Sequence, residues 1–159
     1  MRYHGTPTED WRLGKNKQVT ISLNDMSSLS DAISKFVSAR KDVQEAAAEA
    51  VERLCAEGEK IAKSYCPVDT GELQNSITHK TEVIGGKVEG VIEAGTDHAM
   101  FVEFGTGVRG KGTYPGDDKA WEYDVKRQNW QGRPANPFMY YTARDISQKA
   151  EEILNGDNH

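Results

Sequence analysis

From Asp31 to Cys66, apolar side chains recur at steps of three and four residues through Ile33, Phe36, Val37, Val43, Ala47, Val51, Leu54 and Ile61. Arg40, Asp42, Glu45, Glu49 and Arg53 fall mostly between them, so the stretch predicts one long amphipathic helix with a buried stripe. Thirty or so residues at 1.5 Å each make a rod of roughly 45 to 50 Å, longer than a small domain needs. One end is therefore expected to project toward another subunit. Pro67 stops the helix, because proline has no N–H to give and its ring collides with the preceding turn.

The remaining elements are short and group around that helix. Residues 18–23 alternate, with Val19, Ile21 and Leu23 on one face, which predicts a first strand. Residues 24–30 read as a polar connector. Asp69 and Glu72, three apart, form a capping-box-like start for a short helix in which Leu73 and Ile77 share a face. After Ile77 comes a hairpin: a strand to Ile84, a turn at Gly85 and Gly86, and a strand over 87–94 in which Val88, Ile92 and Ala94 alternate with charges. Asp97 is placed to cap a helical turn bearing Met100, Phe101 and Phe104 and ended by Gly105; an alternating strand fits that segment almost as well. Trp121, Tyr123 and Val125 also alternate like a strand. Asn136 as N-cap and Pro137 at the first helical position open a terminal helix striped by Phe138, Ile146, Ala150 and Ile153, ending at Asn155 and Gly156.

The fold class expected is therefore α+β: a long N-terminal amphipathic helix packed on a small antiparallel sheet, with a C-terminal helix and a long loop. Residues 1–17 read as an arm, 18–155 as a single domain with an extended loop over 107–135, and 156–159 as a tail. An apolar content of 36% is modest for 159 residues, so neighbouring subunits are expected to complete the burial.

Several kinds of chemistry are disfavoured. A net charge of −5 is the wrong sign for gripping phosphates. Cys55 and Cys66 are too few for a disulfide framework and, eleven residues apart on a helix, roughly 16 Å from one another, so both are expected as reduced thiols. His4, His79, His98 and His159 have no metal-binding spacing, and neither a metal nor a cofactor is expected. No apolar run approaches the ~20 residues that span a bilayer, and the opening segment has no signal-peptide core, so folding in a cytoplasm is expected. Asp69, Glu72 and Glu103 are the available carboxylates for acid and base work, but capping accounts for the first two. Gly105, Thr106 and Gly107 with Arg109 and Lys111 lack both the phosphate-loop pattern and its following helix. The 107–135 stretch holds six Lys or Arg against four Asp or Glu, interleaved with Tyr114, Trp121, Tyr123 and Trp130. That composition suits a protein interface at least as well as nucleic-acid stacking.

Three segments remain, none with a nucleophile and base at workable spacing: PVDTGELQNSI at 67–77, AMFVEFGTG at 99–107 and NPFMY at 136–140. In this order, behind a long helix, they resemble the gene-product-ten-like neck and tail-component family of lambdoid and related tailed bacteriophages, which are head-tail connector proteins. The resemblance covers about residues 18–154. The first segment matches at Pro67, Val68, Asp69, Thr70, Gly71, Leu73, Ser76 and Ile77. The second matches at Val102, Glu103, Phe104, Gly105 and Thr106, with Phe101 where a tyrosine is usual, and the third at Pro137, Phe138 and Met139.

The resemblance implies a structural virion protein and no enzyme. It implies a ring of sixfold or twelvefold symmetry at the neck that connects head and tail and lets DNA pass with only non-specific contact. Its partners would be adjacent neck, connector or tail proteins and no membrane, and it would be assembled in the host bacterial cytoplasm. The alternatives are a tail terminator or minor tail protein of the same particle, or a small nucleic-acid-binding phage protein. Pro67, Asp69, Thr70, Gly71, Leu73, Glu103, Phe104, Gly105, Thr106, Pro137, Phe138 and Met139 are the candidate structural and assembly positions.

Overall fold

The computed structural model describes residues 19–68, 71–96, 98–119, 121–123, 125 and 131–156. The N-terminal arm, the Asp69 to Glu72 capping box and the Asp97 cap involve positions outside these residues. Strands β1 (Val19–Ser22), β2 (Ile77–Ile84) and β3 (Lys87–Ala94) form one antiparallel sheet in the order β1-β3-β2. The helices are α1 (Ser30–Ser38), α2 (Val43–Tyr65), α3 (Glu72–Asn75), α4 (Ala99–Phe104), α5 (Gly107–Gly110) and α6 (Phe138–Asn155). Two 3-10 turns, Leu23–Asp25 and Ser27–Leu29, join β1 to α1. The class is α+β, as the alternation of patterns predicts. No helix among the described residues is long and apolar enough to cross a membrane.

The single long helix expected over 31–66 is instead two. α1 ends where the Arg40 guanidinium folds back 3.4 Å over the Phe36 ring and donates to the Phe36 carbonyl at 2.7 Å. The chain then turns extended at Asp42, whose carboxylate accepts from the Glu45 N–H at 3.0 Å and starts α2 afresh. The break lets α1 pack on both α2 and α6, which a straight rod would prevent. It also shifts the stripe: Ala46, Ala50, Leu54, Cys55 and Ala62 are buried, whereas Val43 is 64% exposed.

α2 lies across one face of the sheet over β2 and β3, α6 packs beside it and against β1, and the core fills the space between. Val19, Ile21, Ile77, Ile92 and Ala94 face inward at or near zero exposure, each large one contributing about 1.5 to 3 kcal/mol of burial. The sheet and both helices meet at Gly58, where an added Cβ would stand 2.3 Å from Ile92 Cδ1 and 2.7 Å from Ile146 Cδ1. The hairpin turns at Gly85 and Gly86 with φ of 59° and 81°, the doubly positive pair that matches strand twist in a two-residue loop.

β1 covers only the second half of β3, from Val91 to Ala94. Beyond it the Asn24 side chain stands in for a strand, donating to the Val88 carbonyl at 2.8 Å and accepting from the Gly90 N–H at 3.1 Å. Asn24 therefore closes the sheet edge where β1 has ended.

One polar cluster ties α2 to β2. His79 Nδ1 lies 2.9 Å from Glu59 and Nε2 lies 2.8 Å from Glu52, whose other oxygen accepts from Thr81 at 3.1 Å. Burial opposes the charge, but the Glu59 and Glu52 hydrogen bonds outweigh it and hold the imidazole above its ordinary value. Only the imidazolium can donate from both nitrogens. Because the folded value is raised, this contribution is fully present below about pH 6.5 and is lost as pH rises through the folded value. At a partly solvated site it is worth about 1 kcal/mol or less. His79→Gln is expected to flatten that part of the pH dependence of thermal unfolding; a profile parallel to wild type from pH 6 to 9 counts against the clamp.

Candidate functional site

The second and third sequence segments meet in space, and Glu103 joins them. α4 ends at Phe104, and the side chain of its penultimate residue points into the protein with 0% exposure. Glu103 Oε1 accepts from the Met139 N–H at 2.8 Å, while Oε2 accepts from the Tyr140 N–H at 3.1 Å and the Tyr114 hydroxyl at 3.0 Å. A carboxylate 36 residues away thus caps the first turn of α6. Neither Asn136 nor Pro137 supplies a side-chain cap; Pro137 takes the N-cap position and α6 begins at Phe138. The Asn136 backbone instead donates to the Val102 carbonyl at 2.8 Å. Phe138 and Met139 are fully buried below the junction. Burial pushes the Glu103 carboxyl up to about 8, against the opposing pull of the Met139 and Tyr140 N–H groups.

Gly105 and Thr106 lead straight from this junction into the long loop. Thr106 and Arg133 exchange backbone hydrogen bonds at 2.9 Å each way, pairing the two ends of the loop as a β-bridge. The approach is so close that a Cβ on Gly105 would lie 2.6 Å from the Ala135 nitrogen and 2.8 Å from the Arg133 oxygen, at a φ of 84°. Trp121 Nε1 donates to the Gly105 carbonyl at 2.9 Å. The Phe104 ring packs between Tyr114 and Trp121, with centroids 4.5 and 5.3 Å away.

Those aromatics revise one expectation. Tyr114, Trp121 and Tyr123 are buried, at 8%, 5% and 9% exposure, so they anchor the loop from within and offer no outward stacking surface. Trp121, Tyr123 and Val125 form no strand. Trp130 lies outside the described residues. The segment is organised by the Glu103 to Thr106 turn, with the Tyr123 carbonyl accepting from the Gly107 N–H at 2.5 Å and the Gln131 carbonyl from the Arg109 N–H at 2.8 Å.

The first segment sits elsewhere. Pro67 follows the Cys66 C-cap of α2, Asp69 and Thr70 lie outside the described residues, and Gly71 takes a φ of 81° just ahead of α3. Leu73 and Ile77 are buried anchors. Ser76 Oγ donates to the Leu73 carbonyl at 2.6 Å and accepts from the Gly95 N–H at 3.2 Å, fastening this turn to the end of β3. Gln74 reaches back to the Lys63 carbonyl at 3.0 Å, tying it to α2.

Chemically the site is a buried junction. Glu103 is inaccessible whereas Glu72 is exposed, so those two carboxylates do not share a cleft. Cys55 and Cys66 are buried free thiols, pushed up by burial to about 12 and about 11. Among the described residues no group of three His, Cys, Asp or Glu side chains is placed to hold a metal ion. The residues missed by sequence reasoning are Tyr114 and Trp121. Their only signal was bulk inside a glycine-rich segment.

A protein-family model described as "Bacteriophage HK97-gp10, putative tail-component" matches residues 23–105, just over half of the chain, from the end of β1 to the glycine after α4. No curated protein and no solved structure matches the chain.

Proposed function

The chain belongs to the HK97-gp10-like family of bacteriophage tail components, and on that premise we propose that it is a ring-forming subunit at the neck, where head and tail join. As a tail component it is a structural part of the virion and no enzyme. The observation that carries the reading is the family match itself, which runs from just after β1 through α1, α2 and the hairpin and ends at the Glu103 to Gly105 turn.

In this reading the mechanism is geometric. Copies of the chain, six or twelve to a ring, enclose a passage for DNA, with a neck or connector protein above and a tail protein below. Such a passage must not retain DNA. The net charge of −5 suits that, as does the solvent face of the sheet, where Glu82, Glu89 and Glu93 outnumber Lys80 and Lys87. Pro67 to Gly71 and Glu103 to Thr106 fix the turns that orient the contact surfaces, and assembly takes place in the host cytoplasm.

The test is to disrupt the gene in the inducible phage and view the lysate by negative-stain electron microscopy. DNA-filled heads separate from tails are expected. Abnormally long or short tails still attached to heads would move the protein to a terminator station, and intact infectious particles would remove it from assembly altogether.

A further inference from the structure

One end of the molecule carries an apolar surface that the fold leaves uncovered. Where the hairpin tip meets the start of α2, a cleft of about 410 Å³ opens between Leu23, Ile33, Val43, Ala47, Val51 and Val88. Val43, which lines it, is 64% exposed. A mostly apolar cleft of this kind on a chain carrying 28% charged residues reads as a binding surface.

The direction of β1 identifies an occupant. Val19 pairs with Ala94, at the end of the sheet away from the hairpin tip, and β1 runs from there toward the cleft, which Leu23 helps to line. The chain preceding Val19 therefore enters the fold at the opposite end from the cleft. The offset from Ala94 back to Val88 along β3 is six residues, about 20 Å. Residues 1–18 include Trp11 and Leu13, two bulky apolar groups six to eight residues before Val19. To reach the cleft of its own subunit this pair must double back along nearly its full reach, whereas a neighbouring copy placed end to end meets it directly.

Charge agrees. Arg2, Arg12, Lys15 and Lys17 against Glu9 and Asp10 give the segment +2, which leaves −7 of the chain's −5 on the remainder. A cationic segment with an indole anchor and an acidic body with an apolar cleft are complementary.

We propose that the Trp11 to Leu13 segment of one copy docks in the cleft between the hairpin tip and the start of α2 of the next copy. The contact joins two different surfaces, so it is heterologous, and a heterologous contact repeated with a closing rotation makes a ring. The inference deepens the ring reading and rests on it.

Disulfide trapping in the full-length protein tests it. The double variant Leu13→Cys with Val43→Cys is oxidised mildly and run on a non-reducing gel beside each single variant. Cys55 and Cys66 do not compete, being buried. A ladder of covalent multimers, absent from both single variants, is expected. An intramolecular bond only, or no bond beyond the controls, overturns the proposal.

Trp11→Ala provides a second measurement: self-association, read by light scattering across a concentration series, is expected to weaken at least tenfold. If this variant associates like wild type and the double variant yields no ladder, the segment is not the link, and the ring stands on other contacts. If wild type itself stays monomeric throughout the series, the ring reading fails along with it.

Discussion

Glu103→Ala is expected to destabilise the protein by about 3 to 5 kcal/mol, the largest effect of any single side-chain truncation at the junction. The substitution strips acceptors from the Met139 and Tyr140 N–H groups and from the Tyr114 hydroxyl in a site with no access to water. Each buried donor left without its acceptor costs about 1 to 3 kcal/mol. Glu103→Gln keeps one side-chain oxygen and should lose about half as much. Urea unfolding of the three proteins measures the order, and a Glu103→Ala midpoint close to wild type would falsify the cap.

The same residue predicts a pH dependence. Its folded value, about 8, lies above the unfolded carboxylate value, so the folded protein holds this proton more tightly than the unfolded chain does. The contribution is fully present below about pH 4.5 and is lost as pH rises through about 8. A protonated carboxyl can donate to the Tyr114 hydroxyl, reversing that bond while both α6 N–H bonds persist. Subtracting the Glu103→Gln stability profile from that of wild type should therefore show a fall from pH 5 to 8, and a flat difference would mean that the group is ionised throughout.

The second large effect concerns two glycines that look equivalent in the sequence. Gly105 and Gly71 share a left-handed φ, 84° and 81°, which alone costs an L residue about 1 to 2 kcal/mol. Their surroundings differ. At Gly71 the nearest atom to an added Cβ is Asn75 Nδ2 at 3.8 Å, whereas at Gly105 backbone atoms of Arg133, Pro134 and Ala135 stand within 3 Å. Valine at Gly105 must therefore part the two ends of the loop and take the Trp121 and Thr106 bonds with them, for a total of about 4 kcal/mol or more. Valine at Gly71 should cost about 2 kcal/mol. In the phage, Gly105→Val is expected to abolish incorporation into particles and Gly71→Val to reduce it; equal thermal shifts for the two proteins would show that the loop ends are not held together as described.

The sheet was legible because its signals are local. Alternation at Val19 and Ile21, and at Val88, Ile92 and Ala94, with a double glycine between β2 and β3, depends only on neighbours within a few residues. The helix break was also written locally, in Asp42 and Glu45 with capping-box spacing, but the apolar rhythm continuing into Val43 and Ala47 concealed it. Val43 follows the helical period and is nonetheless exposed, since periodicity says which residues share a face and leaves open whether anything covers that face.

The junction could not be read the same way. Glu103 and Met139 are 36 residues apart, and no pattern within either segment announces that a carboxylate of one replaces the cap of the other. Asn136 offered a cap of ordinary type, and the helix did not use it. Tyr114 and Trp121 were visible as aromatic residues in a charged, glycine-rich stretch, but their burial depends on Phe104 arriving between them.

By itself, then, the sequence determined the α+β class, the hairpin and its turn, the terminal helix and the family motifs, because periodicity and turn chemistry act over a few residues. Only the tertiary structure decided where the first long helix breaks to pack twice, that the second and third motifs form one buried junction around Glu103, and that the long loop is anchored inward. Those outcomes depend on desolvation and close contact between segments distant in the chain, and such contacts exist only once the chain has folded.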